Sequence, residues 1–170
     1  MDEQSTIVAR IRKSLAKMKR RDEKMRSTEP WDDTIIEENT RKLQEIVDEI
    51  GWPTISVFGK ESAMQAWDIV QHVKPNSAFH SHCLELMKQC TEGDVEKSWI
   101  AHLEDRIRVN NGKPQLYGTE FRRNADGHFE PFPIESVTKL DERRQAMHME
   151  SYSAYLQKLN KQGFSTASSA

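Results

Sequence analysis

The chain has 170 residues, room for one domain of ordinary size but not for two full ones. Apolar residues make up 36% and charged residues 31%, too apolar and too balanced in sign for a disordered chain. A formal charge of −2 excludes a uniformly basic nucleic-acid coat and a strongly acidic tail protein, and no apolar run reaches the roughly 18–20 residues of a membrane span. With no apolar signal stretch at the N-terminus either, the expectation is a cytoplasmic protein with no membrane partner.

Residues 1–26 read as a basic amphipathic helix, in which Ile7, Val8, Ile11, Leu15, Met18 and Met25 recur at three- and four-residue steps. On the opposite side Arg10, Lys13, Lys17, Arg20 and Lys24 recur at the same steps. Between residues 10 and 26 nine bases face two acids, a local charge of +7 within a chain of −2. No acid stands between Arg10 and Arg21, which favours a polyanion such as RNA over a merely solvated face.

Residues 27–162 are expected to form a helical domain, beginning with a linker from Ser27 to Trp31. Asp32 or Asp33 caps a second helix carrying Ile36, Leu43, Ile46, Val47 and Ile50, which Gly51 and Pro53 stop. A third helix is predicted from about Lys60 to His72, ended by Pro75. Asn76 or Ser77 caps a fourth, with Phe79, Cys83, Leu84, Met87 and Cys90 inward. Gly93 and Asp94 open a fifth, whose buried stripe is Val95, Trp99, Leu103 and Ile107. Residues 115–121 and 128–132 flank Asn124-Ala125-Asp126-Gly127 and read as a β-hairpin near 115–132. Helices near 139–147 and 150–161 follow, and 163–170 is expected to be a disordered tail. The fold class predicted is mainly α: a single compact domain of six or seven helices with one small hairpin.

Chemistry-bearing residues are few. Asp68 and His72 stand four apart on the third helix, a spacing that lets a carboxylate orient an imidazole for acid–base work, but that also suits a surface ion pair. Arg106 lies beside the buried stripe of the fifth helix, where it either holds a substrate anion or locks a loop through backbone carbonyls. Alternation in the hairpin puts Gln115, Tyr117, Thr119 and Phe121 on one face, rich in hydrogen-bonding groups, and Gly118 permits close backbone approach. An ordinary solvated edge hairpin with a bulge at the glycine fits the same pattern. Cys83 and Cys90 form no C-x-x-C, and His80 and His82 have no ligand spacing, so no metal and no cofactor is expected. Nucleotide-binding and common hydrolase motifs are absent.

Gly51-Trp52-Pro53-Thr54, Ala66-Trp67-Asp68-Ile69-Val70-Gln71-His72, His102-Leu103-Glu104-Asp105-Arg106 and Gln115-Leu116-Tyr117-Gly118-Thr119 together resemble a bacterial family catalogued as a domain of unknown function, over about residues 32–156. Lys74 and Glu120 depart from its pattern, standing where an acid and a glutamine are usual. More distantly, through that family, the chain's size and its lack of an ATP site, it resembles the fungal arginine-containing cyclodipeptide synthases, which join two aminoacyl groups taken from tRNA. That resemblance implies an aminoacyl-tRNA-dependent transferase with no cofactor, since an aminoacyl ester is already activated. In such a transferase the residues suggest His72 as general base or acid, Asp68 as its orienting partner and Tyr117 beside them. Gln71, Asp105, Arg106, Gln115 and Thr119 would line the pocket and Glu120 would pair with an arginine substrate. Arg10, Lys13, Lys17, Arg20 and Lys24 would meet tRNA phosphates. Two other readings stay open: a hydrolase or lyase acting on a small polar metabolite, and a non-enzymatic helical module whose first helix binds nucleic acid or an acidic protein while the QLYGT segment serves as a structural lock.

Overall fold

The structure, a computed structural model, describes residues 3–27, 32–75 and 77–164. Among these it has seven α-helices and one two-stranded antiparallel hairpin, the mainly helical class expected. The elements run α1 Glu3–Ser27, α2 Asp33–Ile50, α3 Ile55–Gln71, α4 Ala78–Gln89, α5 Lys97–Asn110, β1 Phe121–Arg123, β2 Phe129–Pro131, a 3-10 turn Val137–Lys139, α6 Leu140–Ala146 and α7 Tyr152–Lys161. They fall into two compact units, Met1–Glu96 and Lys97–Ala170.

In the first unit α1 packs on α2 and α3. Its apolar stripe does what the periodicity requires: Ile11 and Leu15 have no exposed surface and Met18 has 1%. Leu43, Ile46 and Val47 of α2, Phe58, Ala63, Ala66, Ile69 and Val70 of α3, and Phe79, Cys83, Leu84 and Met87 of α4 are buried with them, and the two alanines suit close helix packing. Asp32 caps α2, its carboxylate accepting the Thr34 amide at 2.9 Å. The linker expected before it, residues 28–31, lies outside the described residues, as does Asn76. Ser77 is the N-cap of α4.

Two local details differ from expectation. Helix α3 begins at Ile55 rather than Lys60, with a kink at Gly59, whose φ of +78° and ψ of 155° break the helix and release the carbonyls before it. Arg12 of α1 takes them up, donating Nε to the Phe58 oxygen at 2.8 Å and a terminal nitrogen to that of Val57 at 3.2 Å. Asp94, expected to open the fifth helix, instead accepts at the start of α3. Its carboxylate takes the Ser56 amide at 3.0 Å and its carbonyl the Ile55 amide at 2.9 Å. Helix α5 begins three residues later, at Lys97.

In the second unit the hairpin is far shorter than 115–132 suggests, pairing Phe121 with Pro131, Arg122 with Glu130 and Arg123 with Phe129. Its turn is the one the sequence marks: the Asn124 side chain accepts the amides of Asp126 and His128, and Gly127 supplies a φ of +84°. Residues 115–120 are not a strand. Of the tail expected over 163–170, residues 165–170 lie outside the described residues; the Phe164 amide caps α7 through the Leu159 carbonyl and its ring meets Phe129 at 4.9 Å.

Candidate functional site

The loop 115–120 wraps around the carboxylate of Asp105, which has no exposed surface. Asp105 stands one turn after the equally buried Ala101 on α5, so the helix presents a charged group inward and the chain must supply it with donors. It accepts the amide of Leu116 at 2.6 Å, those of Tyr117 and Thr119 at 3.1 Å, and the Thr119 hydroxyl at 3.0 Å. Burial pushes the carboxyl upward, while these amides and the hydroxyl pull it back; burial prevails.

Gln115, also without exposed surface, closes the same loop from its other end. Its amide nitrogen donates to the carbonyls of Glu120 at 3.0 Å and Phe132 at 2.8 Å, and its oxygen accepts the Glu120 amide at 2.9 Å. The loop's outward carbonyls go to two arginines of α6: Arg143 donates Nε to Leu116 at 2.7 Å and Arg144 a terminal nitrogen to Tyr117 at 2.6 Å. Arg144 is 1% exposed, with its guanidinium 4.8 Å from the centre of the Tyr155 ring. Gly118 sits at φ +71° against Tyr152, where a Cβ would lie 2.7 Å from a ring carbon. Only glycine fits.

The residues expected to bind substrate here make bonds within the unit. Asp105, Gln115 and Thr119 bond to their own chain, and Arg106 holds Glu120, a terminal nitrogen at 3.1 Å from its carboxylate. The Tyr117 hydroxyl reaches Glu104 at 3.4 Å and, pushed up to about 12 by burial and then by Glu104, it stays a phenol. What looked like one face of a strand is a folded loop whose donors and acceptors turn inward. Arg143 and Arg144 were not singled out from the sequence; the run Asp141-Glu142-Arg143-Arg144 looks like any solvated helix face.

Asp68, Gln71 and His72 belong to the first unit. The expected Asp68–His72 pair is split. Asp68 meets Lys19 of α1 at 2.8 Å, and the carboxylate near His72 is Asp22, also of α1, 3.3 Å from Nδ1. Helix α3 ends at Gln71, so His72 leaves helical geometry and no longer stands over Asp68. Asp22 is 3% exposed and also accepts Arg26 Nε at 2.9 Å, while the His72 side chain keeps 27% of its surface. A half-open imidazole backed by a buried carboxylate can take up or release a proton. Burial opposes the charge of Lys19, but Asp68 and then Glu23 outweigh it and hold its ammonium above the usual range. Among the described residues no group of three or more His, Cys, Asp or Glu is placed to hold a metal ion.

The bases of α1 divide by face. Arg10 pairs with Glu49, Arg21 with Glu38, Lys19 with Asp68 and Arg26 with Asp22, and Arg12 serves the kink of α3. Arg10, expected among the RNA contacts, is thus engaged within the unit. Lys13, Lys17, Arg20 and Lys24 are exposed, one turn apart on the side away from Ile11, Leu15 and Met18. Among the described residues, Lys13, Lys17 and Arg20 form no ion pair.

The second unit carries its own pH dependence. Burial, then Arg106 and Arg144, pull the His102 imidazole down from 6.5 to about 4. Between those values the folded form is neutral and the unfolded chain protonated, so stability falls as pH drops through the window. Allowing for partial solvent access, the loss expected is about 2 kcal/mol. Urea midpoints at pH 7 and 4.5 should differ more for wild type than for His102→Gln; equal differences contradict the assignment.

No curated protein and no solved structure matches the chain. A family of unknown function, DUF6624, matches residues 27–165. The match takes in His72, Asp105 and the 115–120 loop and leaves outside it all of α1 but Ser27. By this match over most of its length, the chain belongs to DUF6624.

Proposed function

We propose that the protein is an RNA-binding helical module that grips phosphates with the outer face of α1. The observation that carries the reading is the sorting of bases on that helix: Arg10, Arg12, Lys19, Arg21 and Arg26 meet carboxylates or carbonyls, while Lys13, Lys17 and Arg20 form no ion pair among the described residues and stand exposed in one row that Lys24 continues. A helix that needed only solubility would mix acids into such a row. From Lys13 to Lys24 the row extends about 16 Å, comparable to about five phosphate steps along one strand. The inward bonding of the QLYGT loop supports the same reading, because a lock within the second unit accounts for that motif without a substrate. Replacing the four bases with Gln should weaken RNA binding and flatten its dependence on salt, with thermal stability nearly unchanged, since phosphate contacts act by releasing counterions. Filter binding across a salt series measures both; the same affinity and slope in the two proteins would refute it.

A second reading, acyl transfer from aminoacyl-tRNA, is favoured by the His72–Asp22 pair, because Asp22 lies on the helix that also carries the basic row. In it His72 accepts a proton from the amine of one aminoacyl group, that amine attacks the ester carbonyl of the other, the ester C–O bond breaks and the ribose oxygen leaves with a proton. A second such attack closes an arginine-containing cyclic dipeptide. Extracts of expressing hosts should then contain new masses of this class that vanish with a folded His72→Ala variant. Their absence across several hosts removes the transferase reading and leaves RNA binding untouched.

A further inference from the structure

The basic row of α1 limits which form of RNA it can hold. Lys13, Lys17, Arg20 and Lys24 fall within about 60° of the helix circumference, because residues three and four apart nearly superimpose along the axis. They make one narrow, straight stripe of cations. Helix α1 packs on α2 and α3 through Ile11, Leu15 and Met18, and the pairs Arg21–Glu38 at 2.7 Å and Lys19–Asp68 at 2.8 Å tie its flanks to the same two helices. The stripe is therefore held in place along its length. Acids that border it are already matched: Glu23 meets Lys19 at 3.4 Å, and Glu38 and Glu49 meet Arg21 and Arg10.

The stripe has no means of holding bases. Across its 25 residues α1 contains no Phe, Tyr, Trp or His, and its one side-chain amide, Gln4, stands more than two turns before Lys13. Of the described Phe and Trp side chains in the rest of the first unit, Trp52, Phe58 and Phe79 are buried and Trp67 of α3 is half-buried. Proteins that hold single strands combine charge with rings on which successive bases stack. Here α1 supplies the charge without the rings.

We propose that this stripe docks double-stranded RNA, gripped through its backbone phosphates without regard to sequence, an assignment that rests on the RNA-binding reading of α1. A duplex carries about twice the phosphate charge of one strand over the same length, so a stripe that offers charge alone gains most from it. Stiffness acts in the same direction. A row fixed over about 16 Å meets a rigid helix with little further ordering, whereas a flexible strand must be straightened at an entropic cost that no stacking on α1 offsets. The major groove of A-form RNA is too deep and narrow for side chains to read, which leaves contacts to the backbone. Such contacts are alike at every base pair.

Fluorescence anisotropy of the full chain tests the proposal with three probes: an RNA duplex of about 20 base pairs, a second duplex of shuffled sequence, and one strand that cannot pair with itself. The duplexes should bind within about twofold of each other and at least about tenfold more tightly than the strand. With four phosphate contacts the logarithmic salt slope for a duplex should approach about −3.6, and replacing Lys13, Lys17, Arg20 and Lys24 with Gln should bring duplex binding down to the level of the strand. Should that variant unfold, Lys17→Glu carries the test, since Lys17 is exposed, and it should weaken duplex binding at least about fivefold. A strand bound as tightly as the duplexes, or a preference between the two duplexes, would overturn the duplex assignment and leave RNA binding by α1 standing. Duplex binding that survives the substitutions, or no binding to any of the three RNAs, would overturn both.

Discussion

Asp105 is a carboxylate with no exposed surface, and what surrounds it in the second unit follows from that. A buried charge without partners costs several kcal/mol, so the residues after α5 cannot leave as an ordinary strand. They curl until three amides and a hydroxyl face the carboxylate. Curling exposes the loop's carbonyls to the other side, and α6 meets them with Arg143 and Arg144. The turn in turn requires Gly118, because the Tyr152 ring leaves no room for a Cβ. Gln115 binds both ends of the segment together, so that only Phe121–Arg123 remains free to pair as β1. One ionised group thus sets the loop, the helix docked on it and the length of the hairpin.

That arrangement changes where function is to be sought. Polar residues in succession at 115–120 are the obvious candidates for a substrate face, and each meets a partner within its own unit. Helix α1 shows the converse pattern. Its inner stripe is as buried as any part of the first unit, its flanking bases are matched to Glu49, Glu38, Asp68 and Asp22, and Lys13, Lys17 and Arg20 form no ion pair among the described residues. The family match covers the lock and leaves nearly all of α1 outside. The pattern that places the chain in DUF6624 therefore does not include the bases of α1.

Helices were legible because a 3.6-residue period needs only local information: the stripes of Ile11, Leu15 and Met18, or of Leu43, Ile46 and Val47, are the buried residues observed. The turn at Asn124–Gly127 was legible for the same reason. What could not be read was any choice among distant partners. Asp68 and His72 are four apart and fit one helix face, but His72 falls just beyond the helix end, and its carboxylate comes from a residue fifty positions earlier. Gln115, Tyr117 and Thr119 alternate as a strand does. Nothing in that alternation reveals that a carboxylate ten positions before Gln115 takes up their backbone. Arg144 carries no local mark at all, since a buried arginine and a surface arginine are spelled alike.

Amide hydrogen exchange at Leu116, Tyr117 and Thr119 tests the central claim, that Asp105 organises the polar loop 115–120 as a structural lock. Protection at those amides should approach that of the most protected amides of α5, although the loop belongs to no helix or strand, and Asp105→Ala should abolish it while lowering the stability of the second unit by about 3 kcal/mol or more. Rapid exchange at these amides in the wild-type protein, or unchanged protection in Asp105→Ala, would contradict the account.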